Sequence, residues 1–214
     1  MADLLGTCRE SLCRHDNLWS SLAVAINREY VTAEYPLKDG DEVALLPLVS
    51  GGSSNVGHAA PENMVFLTRE SINAAKIVSA LKQGEDGAVT IFDGIVRNNT
   101  RGRKTLYLDY HAYEEMALTQ MQELAAKAIA NFKVRQVALV HRLGKLEIGE
   151  TSVLIAVTSA HRGITFDACH WLIDTLKKTV PIWKKEYFDD GAVWADGEPF
   201  PPEIVPAANP EAKR

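Results

Sequence analysis

The run from Val153 to Glu186, VLIAVTSAHRGITFDACHWLIDTLKKTVPIWKKE, constrains the fold of this chain more than any other stretch. Val153 to Val157 is apolar throughout and has the length and composition of a buried strand. Beyond Ser159-Ala160-His161-Arg162-Gly163, the residues Ile164, Ala168, Trp171, Leu172 and Leu176 recur at helical spacing. Pro181 ends that helix and turns Val180 away from helical geometry. A strand that feeds a helix start sets up an anion site, because the first N–H groups of the helix are unpaired and its dipole favours negative charge there. His161 and Arg162 occupy that junction, while Lys177 and Lys184 flank the redirection at Pro181 with Trp183 between them, so two amines can converge on one pocket. Taken singly, these groups have ordinary readings. Cations in a last helical turn, such as Lys177 and Lys178, complement the dipole, and a histidine before a helix can bond locally. The combination of basic groups around an apolar wall suits a phosphorylated heterocycle.

At 214 residues the chain allows one large domain or two small ones, and 46% apolar residues suffice for a core. A formal net charge of −5 argues against broad binding to nucleic acid or a membrane surface, while leaving room for a local basic pocket. Cys8, Cys13 and Cys169 are odd in number and lack metal-ligand spacing, so neither a disulfide framework nor a metal site is expected. No segment has the length of a transmembrane helix and the N-terminus lacks a secretory pattern, so the expected location is the cytoplasm.

In chain order, residues 2–19 read as a short amphipathic helix, Leu22 to Ile26 as a strand, Asn27-Arg28-Glu29 as a turn and Tyr30 to Ala33 as the return. Asp39-Gly40 marks a turn before Glu42 to Val49, an edge strand interrupted by Pro47. Residues 50–61, rich in Ser and Gly, form the one break in composition and read as a linker. Then follow a strand at Met64 to Leu67, a helix from Ile72 ending near Gly84, and a strand from Gly87 to Val96 in which Gly94 marks a bulge or a close backbone approach. Asn98 to Lys104 is a polar, basic loop, Thr105 to Tyr113 a strand and Met116 to Phe132 a long helix. Gln136 to Val140 is the next strand, and the tail from Asp189 to Arg214 carries Trp194 and several prolines and frays over 207–214.

Five motifs in order resemble the large subunit of the molybdopterin synthase family. They are FDGIVRNNT at Phe92 to Thr100, LDYHAYEEMA at Leu108 to Ala117, HRLGKLEIGE at His141 to Glu150, TSAHR at Thr158 to Arg162 and DTLKKTVPIWKKE at Asp174 to Glu186. In the first part, AVAINREYV and PLKDGDEVALLPLVSGG resemble the second half of that family's small, ubiquitin-like sulfur carrier. The resemblance implies an α+β chain in three parts. Residues 1–52 would be a partial β-grasp carrier domain ending in Gly51-Gly52, residues 53–63 a linker, and residues 64–214 a catalytic α/β hammerhead-type domain. Roughly fifty residues before the Gly-Gly are few for an independent β-grasp core, so that domain is expected to be truncated or to start upstream of Met1.

The same resemblance implies the chemistry: transfer of sulfur from a glycyl thiocarboxylate to cyclic pyranopterin monophosphate, giving the dithiolene of molybdopterin, with no cofactor. Lys177 and Lys184 match the active-site lysines, Lys177 being the chemical residue and Lys184 its support. Arg97, His161 and Arg162 match basic substrate-pocket positions, and Phe92 and Glu186 match positions that shape the site. The implied partners are a second copy of the chain through the large domain, a small carrier subunit in cis or in trans, and an adenylating enzyme that loads the sulfur. Glycines suit a tail that threads a narrow channel, but Gly52 is followed by Ser53 and has no free carboxylate. Either the chain is cut after Gly52 or a separate small subunit serves the large domain. A non-catalytic carrier or adaptor with an anion-binding pocket is the alternative reading.

Overall fold

A computed structural model describes residues 22–32, 35–46 and 64–195. The expected helix at 2–19, the linker, Gly51 and Gly52, the domain boundaries at 52 and 63, and the tail beyond Ala195 lie outside the described residues.

The centre of the fold is a four-stranded sheet in the order β4-β8-β10-β5, with β4 Met64–Thr68, β5 Ala88–Ile95, β8 Gln136–Arg142 and β10 Thr151–Ser159. The β4 and β8 strands run parallel and the other neighbours antiparallel. Both faces of the two inner strands are covered, which is why β10 is an unbroken apolar run rather than an alternating one. On one face, α1 (Ala74–Leu81) presses Ile77, Val78 and Leu81 onto Ala138, Val140, Leu154 and Ala156. On the other, α2 (Glu114–Phe132) and α3 (Arg162–Thr179) bury Met121, Leu124, Ala168, Leu172 and Leu176 against Val137, Leu139, Val153, Ile155 and Val157. The Asn73 side chain caps α1 by accepting from the Lys76 N–H, and α2 ends on Lys133 in the left-handed region at φ 58°.

A second sheet carries β6 Asn99–Thr100, β7 Arg103–Ala112, β9 Gly144–Glu147, β11 Ile182–Phe188 and β12 Gly191–Trp194, with β7 between β11 on one side and β6 and β9 on the other. The two strands β11 and β12 had no counterpart in the sequence reading, because the lysines and acids of 184–190 mask the alternation. His141 and Arg142 extend β8 beyond Val140, and α1 stops at Leu81, before Gly84.

The N-terminal strands β1 Ala23–Ile26, β2 Glu29–Val31 and β3 Val43–Leu46 form a separate antiparallel sheet in the order β2-β1-β3. One of its faces buries Leu22, Val24 and Ile26 under Tyr35 and Leu37. Ala25 and Leu46, on the other face, pack on Met116, Tyr113 and Trp183 at the start of α2. An Arg28–Glu115 ion pair and a hydrogen bond from the Tyr113 hydroxyl to Glu42 flank that contact.

Candidate functional site

Where the C-terminal turn of α3 meets the second sheet, the two layers diverge around a cavity of about 680 Å³. Each element contributes by its own periodicity. Leu176 and Lys177 lie in the last turn of α3, and Val180 is extended (φ −95°, ψ 127°), so Pro181 turns the chain back as β11 along the same cavity. Side chains two apart on a strand share a face, and Ile182, Lys184 and Glu186 all line the wall. Phe92 on β5 forms the side beneath α3, and Arg97 lies just beyond the end of that strand. Thus Phe92, Arg97, Lys177, Lys184 and Glu186 come together, with Trp183 beside them.

Glu186 is 5% exposed, and its Oε1 lies 2.7 Å from the Lys184 Nζ. A buried carboxylate without a partner is costly, so the pair fixes the Lys184 amine on the cavity wall. Lys177 and Arg97 have no ion-pair partner among the described residues. They leave two cationic donors free for a bound anion. The buried Trp183 Nε1–H has no hydrogen-bond acceptor among the described residues.

A close approach shapes the floor, as the reading of Gly94 anticipated. A Cβ at Gly94 would stand 2.6 Å from Val153 Cγ1 and 3.1 Å from Phe92 Cε1, and the register of β10 against β5 shifts between Thr151 and Val153. Ser152 donates its hydroxyl hydrogen to the Gly94 carbonyl at 2.8 Å.

His161 and Arg162 stand elsewhere in the chain, apart from the cavity lined by Arg97, Lys177 and Lys184. They line a separate, open concavity of about 360 Å³ with Gly87, Ala160, Gly163 and Phe166, at the N-terminus of α3. The helix rise of 1.5 Å per residue separates Arg162 from Lys177 by about 22 Å. His161 makes no side-chain cap bond, so local bonding does not explain it either.

The cavity also holds residues that the sequence reading passed over. Tyr110 pairs in register with Lys184, and His141, 4% exposed, sets its ring edge-on to Tyr110 with centroids 5.0 Å apart. Burial pushes the His141 ring down to about 4, against a smaller opposing effect of its bond to the Arg142 carbonyl. The available signal was the apolar run Val137 to Val140 running straight into a histidine.

The MoaE protein family model matches residues 67–179, and the ThiS family model matches residues 3–52. The molybdopterin synthase catalytic subunit of Bacillus subtilis is 37% identical over 145 residues, 68% of this chain and 92% of that protein. That of Pyrococcus abyssi is 37% identical over 129 residues, 60% and 87% of the two chains, and the human protein is 35% identical over 133 residues, 62% and 71%. The crystal structure of molybdopterin synthase from Staphylococcus aureus superposes with a TM-score of 0.60 at 35% identity, covering 63% of this chain and 98% of that one. A MoaE protein from Burkholderia ambifaria gives 0.55 at 29% identity, covering 63% and 90%.

Proposed function

The chain belongs to the MoaE family and has a role in molybdopterin synthesis, and from that premise we propose that it transfers sulfur from a glycyl thiocarboxylate to cyclic pyranopterin monophosphate. The observation that carries this reading is the meeting of Lys177, Lys184 and Arg97 in one cavity with an aromatic wall. Opening a cyclic phosphate develops negative charge, and fixed cations in a partly enclosed site stabilise it without reorganising. Lys177, which has no ion-pair partner among the described residues, acts as nucleophile or proton shuttle; Lys184, held by Glu186, supports it; Arg97 grips the phosphate; Phe92 walls the heterocycle.

His161 and Arg162 enter this scheme through a second copy of the chain, whose α3 N-terminus would face the cavity of the first. The sulfur arrives on a small carrier. Leu46, in the apolar cluster against which Trp183 packs, lies six residues before Gly52, and six extended residues span at most about 22 Å. Gly52 is bonded to Ser53, so a terminal thiocarboxylate there requires that bond to be cut; otherwise a separate small subunit, loaded by an adenylating enzyme, delivers the sulfur. Intact-mass measurement on the protein from its own cells separates the two, since only cleavage leaves a fragment ending at Gly52.

The test of the activity is conversion of the cyclic pterin with a thiocarboxylated small subunit supplied. Wild type converts it and Lys177→Ala does not. If wild type is inert as well, the chain is a carrier or adaptor that binds an anion and the reading is wrong.

A further inference from the structure

The charged donors of the cavity are Arg97, Lys177 and Lys184, which can only donate, and its buried carboxylate, Glu186, is taken by Lys184. Asp93 lies exposed at the rim. Beside the hydroxyls of Thr100, Tyr110 and Ser152, the ring of His141 gives the lining an aromatic nitrogen acceptor. The His141 Nδ1 lies 2.9 Å from the Arg142 carbonyl oxygen, which has no hydrogen to give, so Nδ1 carries the proton and Nε2 keeps its lone pair. No group among the described residues bonds Nε2. The edge contact with Tyr110 holds the ring in place, and burial keeps it uncharged.

We propose that His141 is a binding residue for the heterocycle, its Nε2 accepting a hydrogen bond from a ring N–H of a flat, donor-bearing bicycle at the cavity floor. This rests on the reading of the cavity as the site of a cyclic pterin phosphate. The cations hold the phosphate end and give no information about the rings. A fixed neutral acceptor supplies it: a ring that presents an acceptor at that position leaves Nε2 facing a lone pair and is rejected. The opposite choice, an acceptor for the backbone N–H of the carrier tail, would place the histidine on the path of the tail instead of under the rings.

Isothermal titration of the full chain with cyclic pyranopterin monophosphate, with inorganic phosphate, and with a peptide of the carrier's Gly-Gly terminus tests this. His141→Phe keeps the ring against Tyr110 and removes Nε2; His141→Gln restores an acceptor. The Phe variant should bind the cyclic pterin phosphate about tenfold to a hundredfold more weakly, and the Gln variant should regain much of that loss. Phosphate and peptide should bind all three proteins alike. In wild type with 15N-labelled histidine, the Nε2 resonance of His141 should move with the cyclic pterin phosphate and stay with inorganic phosphate, which keeps the question open to disproof even if the Phe variant fails to fold. A Phe variant that binds the pterin as wild type does, a loss shared equally by phosphate, a loss confined to the peptide, or an unmoved Nε2 resonance overturns the assignment. If wild type does not bind the cyclic pterin phosphate, the reading of the cavity falls, and this assignment with it.

Discussion

The two ends of α3 are built from the same kinds of residue and differ in their surroundings. At the C-terminal end, Lys177 meets Lys184, Arg97 and a buried carboxylate where two sheets diverge. At the N-terminal end, His161 and Arg162 are exposed on an open concavity with unpaired helix N–H groups nearby. One end is a partly enclosed pocket and the other an open concavity. A rigid rod about 27 Å long keeps the two apart within one chain.

The largest effect comes from asking whether two chains join those ends. Lys177→Ala and Arg162→Ala should each lose at least about a hundredfold in conversion of the cyclic pterin. In a two-fold dimer where one chain's Lys177 works with the other's Arg162, mixing the two dead variants leaves one of the two sites in each mixed dimer intact. Random reassociation should therefore restore about a quarter of wild-type activity. No recovery from the mixture, with both proteins folded and exchanging chains, would break the comparison by showing that the exposed end does not complete the other chain's cavity.

That separation was legible before any coordinates, since Arg162 and Lys177 sit on one uninterrupted helix and the rise per residue sets their distance. The motifs named the residues but carried no geometry, and grouping them by chemistry concealed it. The central strands, the three described helices and the stop at Pro181 were readable because burial and periodicity act locally. The β11 strand was not, because its pairing with β7 is non-local and its alternation faces a polar cavity, and β12 is legible only as the hairpin partner of β11. His141 escaped for a related reason: the apolar run before it hints that the strand continues, but whether the ring then faces a cavity depends on non-local packing.

The buried character of the cavity end should appear in stability against pH. In the unfolded chain the His141 ring takes up a proton near its ordinary value of 6.5, but in the folded protein only near 4. Between these values the unfolded state holds more protons, so stability falls as pH falls through 6.5 toward 4. The slope is about 1.4 kcal/mol per pH unit and the total up to about 3 kcal/mol. Urea titrations at stepped pH should show this slope in wild type and its loss in His141→Phe. An unchanged slope would mean that the ring is already charged in the folded state.

Two glycines, one just before β5 and one within it, allow the two ends to be strained separately. A Cβ at Gly87 would lie 2.3 Å from the Ala160 carbonyl oxygen, next to His161, and backbone cannot rotate away. Gly87→Ala should cost about 2–3 kcal/mol. A Cβ at Gly94 would meet the Val153 side chain, which can turn, so Gly94→Ala should cost about 1–2 kcal/mol while displacing Phe92 and raising KM for the pterin. Equal costs with no change in KM would show that the floor is softer than its contacts suggest.

The smallest effect concerns what holds the N-terminal sheet beside the cavity. Arg28 and Glu115 form the visible ion pair of that contact, but their side chains are 49% and 61% exposed. Water and salt screen such a pair, and ordering two long side chains offsets its attraction, so a double-mutant cycle of Arg28→Ala and Glu115→Ala should give a coupling below about 1 kcal/mol. The sheet is held chiefly by Ala25 and Leu46 against Met116, Tyr113 and Trp183. Apolar burial is indifferent to salt over the range in which exposed ion pairs fade. Raising the salt to about 1 M should therefore leave the Trp183 fluorescence unchanged; a shift matching that of Leu46→Ala would mean that charge docks the sheet.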